Sequence, residues 1–116
     1  MKCLVIVNES PWQTALAVCA LRYAQAAERV GLEIVAVFFR EDGVYHALAA
    51  TSADSGTPEL TAGWQEFSKR TGARLLLCSA SSQRRLPAGS SAPSFEQTGL
   101  AEMLELMQQS DRLVTF

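Results

Sequence analysis

The chain has 116 residues, of which 48% are hydrophobic and 19% charged, and ten basic and twelve acidic side chains give a net charge of -2. This composition is that of a folded globular protein, and the length suits one domain over residues 1–116. The slight negative charge excludes a general attraction to nucleic-acid backbones or anionic lipids. The apolar runs are shorter than the roughly 20 residues of a membrane span, and the N-terminus lacks the pattern of a secretory signal, so a cytoplasmic protein is expected.

Strand, helix and strand signals follow one another in the first third of the chain. The apolar run KCLVIV (residues 2–7) predicts a strand that ends at the turn residues NESP. A helix is predicted from Trp12 to Val30, where Gly31 ends it, with an inward-facing stripe of apolar residues at helical spacing: Leu16, Cys19, Tyr23, Ala27 and Val30. LEIVAVFF (residues 32–39) is apolar on consecutive positions, which indicates a strand covered on both faces, as in a parallel sheet.

The middle of the chain continues this alternation. VYHALAA (residues 44–50) predicts a short helix, and TSADSGTPE (residues 51–59) predicts a surface loop rich in Ser, Gly and Pro. A second helix is predicted from the spacing of Leu60, Trp64 and Phe67, and Gly72 ends it. ARLLLC (residues 73–78) predicts the third strand.

The last third predicts a loop, a helix and a strand. LPAGSSAPSFEQT (residues 86–98) is interpreted as a loop, and Leu100, Met103, Leu104 and Met107 then fall on one face of a helix. RLVTF (residues 112–116) predicts a closing strand. The whole pattern is typical of a single three-layer α/β/α domain, Rossmann-like, with a mainly parallel sheet of four or five strands.

Three cysteines at wide spacing argue against a disulfide framework, and neither CxxC nor any other metal-binding spacing is present, so we expect no metal and no organic cofactor. Cys3 lies within the first strand and Cys19 on the apolar stripe of the first helix, so both are predicted to be small buried residues. Cys78 ends the third strand, at the edge where parallel α/β sheets gather their binding and catalytic groups. A buried core cysteine remains the alternative reading of Cys78.

The residues after Cys78 favour a reactive thiol. Only the thiolate is nucleophilic, and an unperturbed thiol with a pKa near 8.5 is a few per cent ionised at neutral pH. A serine after Cys78, such as Ser79, could cap a short helix whose N–H groups stabilise the anion. Arg84 and Arg85, folded back across one turn, are predicted to add positive charge. A solvated face or a partner-binding patch is the alternative reading of the two arginines.

His46 is the only histidine, and therefore the only candidate for a conventional Cys–His pair. Its setting in a short apolar helix favours an ordinary surface or partner-contact histidine instead. No nucleotide-binding or zinc-protease motif is present. The remaining chemistry is that of a single exposed thiolate, which either senses oxidants or carries sulfur as a persulfide.

Several segments together resemble the DsrE/TusD family of sulfur-relay proteins. They are YAQAAERVG, VFFREDGVYHA, WQEFSKRTG, LLLCSASSQRR and TGLAEMLELMQQSDRLVTF, and the similarity covers nearly the whole chain. Its most specific part is the FFREDGVY block followed by a cysteine and an Arg-Arg pair. The resemblance implies a DsrE-like fold and a sulfurtransferase whose persulfide is carried on Cys78.

The resemblance also implies partners. Sulfur would come from a TusA-like donor and pass to a TusE-like acceptor during 2-thiouridine formation at the tRNA wobble position. Related TusB-like and TusC-like subunits would complete a dimer of heterotrimers, without direct contact to nucleic acid or membrane. Two alternatives stay open: a DsrE-type subunit of sulfur oxidation, and a non-catalytic scaffold subunit of a hetero-oligomer.

Overall fold

Five segments pair as parallel strands in the computed structural model, which describes residues 1–12, 15–48 and 59–116. The strands are β1 (Lys2–Val7), β2 (Glu33–Phe39), β3 (Arg74–Cys78), β4 (Phe95–Thr98) and β5 (Arg112–Thr115). Their order across the sheet is β4-β3-β2-β1-β5, and all four pairings are parallel. β1 and β2 pair with each other inside the sheet, and because both faces of a parallel sheet are covered by helices, their apolar runs are buried on both sides.

In the described part of the chain, four α-helices connect the strands: α1 (Ala15–Arg29), α2 (Leu60–Thr71), α3 (Ser79–Arg85) and α4 (Leu100–Gln109). A 3-10 helix (Glu41–Ala47) follows β2. Residues of α1 and α2 pack on one face of the sheet, and residues of α4 pack on the other. Because β4 and β5 are the two opposite edges, a right-handed connection between them has to cross the second face. The predicted three-layer α/β/α fold with a parallel sheet is confirmed.

The core divides into two clusters because successive residues of a strand point to opposite faces. The larger cluster lies on the side of α1 and α2 and contains Val5, Phe39 and Trp64. The smaller cluster lies on the side of α4 and contains Phe38 and Met103, together with Leu4, Ile6, Ala36, Leu76 and Cys78. Cys78 therefore lies on the face of the sheet that α4 covers.

The buried face of α1 differs from the predicted stripe. Its buried residues are Ala17, Ala20, Leu21, Ala24 and Ala27, whereas Leu16 is 47% and Val30 79% exposed. Cys19 is exposed as well, so the prediction that it is buried is wrong. The alanines of α1 face the sheet because small side chains allow the helix to approach it closely. The predicted stripe, which followed the larger residues, is therefore displaced from the buried face by about one residue, or roughly 100° around the helix axis. Cys3 is fully buried, as predicted.

Three other segments differ in detail from the expectations. The predicted loop 86–98 ends in β4, which pairs with β3 from Leu75↔Phe95 to Cys78↔Thr98. The short helix predicted from Val44 begins earlier, at Glu41, as a 3-10 helix. The predicted surface loop 51–59 lies outside the described residues except for Glu59. None of the described helices is long and apolar enough to span a membrane.

Candidate functional site

Cys78 stands where β3 changes directly into α3. It is the last residue of the strand and the N-cap residue of the helix, with an extended backbone (φ -61, ψ 119). The neighbouring strand β2 ends beside it at Phe39, and the N–H of the next residue, Arg40, donates to the carbonyl of Val7 at 2.9 Å. On the other side, Cys78 is in register with Thr98 of β4. The thiol thus lies at the carboxyl edge of the sheet, where the ends of neighbouring strands meet.

The site is largely enclosed. Cys78 is 8% exposed and packs in the smaller core cluster with Phe38, Leu76 and Met103. A cysteine in such surroundings would ordinarily be neutral, because burial disfavours the thiolate. The polar groups at the start of α3 decide whether it ionises.

These polar groups outweigh the burial. Burial raises the pKa of the Cys78 thiol, but hydrogen bonds from the Ser81 hydroxyl and from the N–H groups of Ser81 and Ala80 lower it, and the positive charge of Arg40 lowers it further. The net result is a pKa below the ordinary value of a cysteine. Cys78 therefore has more thiolate at neutral pH than an unperturbed cysteine, and the thiolate is the nucleophilic form.

The three residues predicted to assist Cys78 occupy different positions. The Ser79 hydroxyl donates to the Thr98 carbonyl at 3.0 Å and so holds the start of α3 against β4. Arg85 pairs with Glu41 and Asp42 of the 3-10 helix, each at 3.0 Å. Arg84 is exposed near the end of α3. Neither arginine is among the groups that lower the pKa of Cys78.

The cation that lowers the pKa of Cys78 is Arg40, which was not among the predicted site residues. It follows β2 directly, and β2 pairs with β3 in the sheet. The available signal was its position, because the residues that follow neighbouring parallel strands share one edge. The side chain of Ser81 was also missed as a direct partner of the sulfur, since the serines after Cys78 were considered only as helix caps.

His46 is buried rather than at the surface, so the prediction of a surface or partner-contact histidine is wrong. Its side chain has no exposed area, its ring lies 5.3 Å from that of Phe39, and its Nε2 lies 3.0 Å from the Glu9 carbonyl oxygen. Burial lowers the pKa of His46 to about 4, although the hydrogen bond to Glu9 opposes this effect. Phe39 belongs to the larger core cluster and Cys78 to the smaller one, so the histidine and the cysteine are on opposite faces of the sheet.

The other two thiols have different environments. Cys3 is fully buried, and burial raises the pKa of its thiol despite a contact with the Tyr23 hydroxyl at 4.0 Å. Cys19 is exposed on α1. Across residues 1–12, 15–48 and 59–116, no three His, Cys, Asp or Glu side chains are grouped so that they could hold a metal ion. Cys78 is the thiol whose surroundings favour the anion.

Comparison with known proteins places the chain in a family. The sequence model of the DsrE/DsrF-like family matches residues 1–116. Proteins called Sulfurtransferase TusD from Salmonella newport (strain SL254) and Salmonella heidelberg (strain SL476) are each 31% identical over 128 residues, covering 100% of both chains. The crystal structure of the ychN protein from E. coli superimposes with a TM-score of 0.84 at 19% identity, covering 99% of this chain and 98% of that one, and shows a shared fold. The chain belongs to the DsrE/DsrF-like family, as the resemblance implied.

Proposed function

We propose that the chain is a sulfur-relay subunit that carries a persulfide on Cys78. Full-length similarity to proteins called Sulfurtransferase TusD supports the predicted class of enzyme, a sulfurtransferase. The observation that carries the choice of residue is the lowered pKa of Cys78 at the carboxyl edge of the sheet. A thiolate held there is the nucleophile that sulfur transfer requires.

The proposed reaction has two thiol exchange steps. The Cys78 thiolate attacks the outer sulfur of a donor persulfide, so that a new S–S bond forms on Cys78 while the donor's S–S bond breaks and the donor leaves as a thiolate. An acceptor thiolate then attacks the outer sulfur on Cys78, takes it as its own persulfide and releases the Cys78 thiolate. Atoms and electrons balance among the three thiols, so the exchange uses neither a metal nor an organic cofactor.

The surrounding residues have separate proposed roles. Ser81, the N–H groups after Cys78 and Arg40 stabilise negative charge on sulfur, which is present both in the thiolate and in a persulfide anion. Ser79 fixes the start of α3 against β4. Arg84 is proposed to contact a partner because it is exposed, while Arg85 connects α3 to the 3-10 helix through its two carboxylate partners.

We also propose the pathway in which the sulfur is used. Similarity to TusD supports a relay in the cytoplasm from a TusA-like donor to a TusE-like acceptor, leading to 2-thiouridine at the tRNA wobble position. TusB-like and TusC-like subunits are the proposed members of the assembly. A DsrE-type role in sulfur oxidation is the competing pathway, and it would use the same exchange at Cys78.

Persulfide loading tests the assignment of the residue. A Cys19→Ser background removes the exposed thiol, which would otherwise react with a donor without specificity. After incubation with a low-molecular-weight persulfide, intact mass spectrometry should show a gain of one sulfur atom that a further Cys78→Ser substitution abolishes. Equal gains with and without Cys78, or no gain in either protein, would contradict the proposal.

The pathway is tested separately, in cells. A strain lacking the gene should lose 2-thiouridine from its tRNA, and the wild-type gene should restore it while the Cys78→Ser gene should not. Normal 2-thiouridine in the deletion strain would reject the tRNA pathway in favour of the sulfur-oxidation alternative. Restoration by Cys78→Ser would instead favour a scaffold role.

A further inference from the structure

The side chain of Ser81 lies between α3 and the start of the 3-10 helix. Ser81 is 1% exposed, and its Oγ accepts a hydrogen bond from the backbone N–H of Glu41 at 3.0 Å. A hydroxyl has one proton to donate and two lone pairs to accept with. Because the Glu41 N–H occupies one lone pair, the hydroxyl proton is directed away from Glu41. Ser81 is the third residue after Cys78, the N-cap residue of α3, so it lies within one helical turn of the sulfur, and its hydroxyl lowers the pKa of that thiol.

The segment that supplies this N–H is itself held in an uncommon conformation. Glu41 has φ +49, a left-handed backbone that non-glycine residues rarely adopt. Arg85 ties the segment to α3, since its Nη2 lies 3.0 Å from a Glu41 carboxylate oxygen and its Nε donates to an Asp42 carboxylate oxygen at 3.0 Å. Contacts therefore lead from Arg85 through Glu41 to Ser81, which lies within one helical turn of Cys78.

We propose that Ser81 is a positioning residue for sulfur exchange at Cys78, with its hydroxyl turned toward the sulfur by the N–H of Glu41 and with Arg85 holding Glu41 in place. The inference rests on the proposed function in assuming that the thiolate of Cys78 is the reacting group. It adds the groups that orient the Ser81 hydroxyl, namely the Glu41 N–H and, through Glu41, the Arg85 guanidinium. Charge-assisted hydrogen bonds of this kind are stronger than neutral ones.

Ser82 provides a matched control in the same helix. It is also 1% exposed, but its hydroxyl has no hydrogen-bond partner within the described residues. Removal of either hydroxyl deletes one buried oxygen from α3. The two substitutions are therefore alike in burial, but only Ser81→Ala removes the acceptor of the Glu41 N–H and the hydroxyl that lowers the pKa of Cys78.

The charged groups around the thiol come from three elements. Arg40, after β2, is the one that lowers the pKa of Cys78 by its charge. Glu41 and Asp42 on the 3-10 helix are paired with Arg85. Glu102 on α4 is paired with Arg74 and accepts a hydrogen bond from the Thr98 hydroxyl. None of these ion pairs includes Ser81 or Ser82.

The test is the rate at which iodoacetamide alkylates Cys78 as a function of pH, in the full chain with the Cys19→Ser background. The Ser81→Ala protein should have its rate midpoint shifted to higher pH and a rate at pH 7 lowered by about tenfold. The Ser82→Ala protein should keep the parent's midpoint. An unchanged midpoint in folded Ser81→Ala protein, or an equal shift in Ser82→Ala, would overturn the inference.

A second variant covers the case in which Ser81→Ala fails to fold. Arg85→Met leaves both serines in place and releases Glu41, so its midpoint should shift in the same direction by a smaller amount, with the thermal unfolding curve reporting that the protein is folded. No shift in a folded Arg85→Met protein would then overturn the inference. Alkylation measures the ionisation of Cys78 and involves no sulfur transfer. Alkylation midpoints that differ from the predicted ones would therefore contradict the role of Ser81 and leave the persulfide-loading result unaffected. Predicted midpoints without persulfide loading would contradict the proposed function and not the role of Ser81.

Discussion

Desolvation and hydrogen bonding act in opposite directions on the sulfur of Cys78. The residue is 8% exposed, which favours the neutral thiol, but two backbone N–H groups, one hydroxyl and the charge of Arg40 favour the anion more strongly. The thiol is thus ionised more readily than a free cysteine while remaining enclosed. This combination suits a carrier that has to keep its sulfur from water and small oxidants until a partner approaches.

The charge on Arg40 gives a prediction that separates it from Arg84. Arg40→Met should raise the midpoint of Cys78 alkylation and lower the rate at pH 7 by about threefold, since the charge is partly exposed and screened. Arg84→Met, on exposed α3 surface, is the control and should leave the midpoint unchanged. A shift with Arg84→Met and none with Arg40→Met would reverse the assignment of the two arginines.

His46 makes the stability depend on pH. Its pKa is about 4 when folded, against about 6.5 when unfolded, so between these values the unfolded chain binds more protons and stability increases with pH. This contribution is complete above pH 6.5 and is lost as the pH falls toward 4, with a total of about 3 kcal/mol. Denaturant unfolding at pH 7 and pH 4.5 should show a smaller loss for His46→Gln than for wild type. An identical loss in both proteins would contradict the buried neutral histidine.

Gly43 tests the tight approach of the chain at the edge that bears the site. A Cβ at this position would lie 2.0 Å from the backbone oxygen of Val7, which is too close for any side chain. Gly43→Ala should therefore reduce the free energy of unfolding by about 3 kcal/mol. Gly99→Ala is the control, because nothing lies within 4 Å of its Cβ position, and it should cost about 0.5 kcal/mol as a helix cap. Equal losses would show that the approach to Val7 is not restrictive.

At the level of elements, the alanine face of α1 makes its own prediction. Ala24 is fully buried, so Ala24→Leu should overpack the helix against the sheet and cost about 2 kcal/mol in urea unfolding. Ala26 is exposed two residues later, and Ala26→Leu should change stability by less than about 0.5 kcal/mol. A larger loss of unfolding free energy for Ala26→Leu than for Ala24→Leu would contradict the observed buried face of α1.

Four of the five described strands were predictable because their apolar runs are continuous, and Cys78 was predictable because it ends such a run. The buried face of α1 was not predictable, because four of its five buried residues are alanines. The predicted stripe included the larger Leu16 and Val30, which are exposed. The four residues of β4 were not predictable either, because Glu96 and Gln97 are exposed on an edge strand and no alternation appears. Arg40 acts on a cysteine 38 positions away, and only the order of the strands reveals that proximity.

At the scale of the whole molecule, large apolar side chains remain at the surface on the face covered by α4. Leu100 and Leu104, predicted to lie on its apolar face, are 54% and 55% exposed, while Met103 from that face is buried. Leu113 on the edge strand β5 is 45% exposed. The proposed hetero-oligomer would bury these leucines, because an interaction surface removes apolar side chains from water.

Assembly can be tested on that surface. The chain expressed with TusB-like and TusC-like subunits should elute in size-exclusion chromatography with a larger mass than the chain alone, and Leu104→Arg should reduce the larger species without changing thermal stability. Val30→Arg, at a position that is 79% exposed just after α1, is the control and should leave the assembly unchanged. A monomer with and without the partners would contradict the hetero-oligomer.

The transfer of sulfur from Cys78 to another thiol is the most direct measurement of the relay itself. Cys19→Ser protein loaded with one sulfur atom is mixed with an equimolar TusE-like acceptor, and the intact masses of both proteins are followed over time. The loaded protein should lose one sulfur atom at the rate at which the acceptor gains one, and Cys78→Ser protein should transfer no sulfur. A loaded protein that keeps its sulfur in the presence of the acceptor, or an acceptor that gains sulfur equally from the Cys78→Ser protein, would contradict the proposed relay.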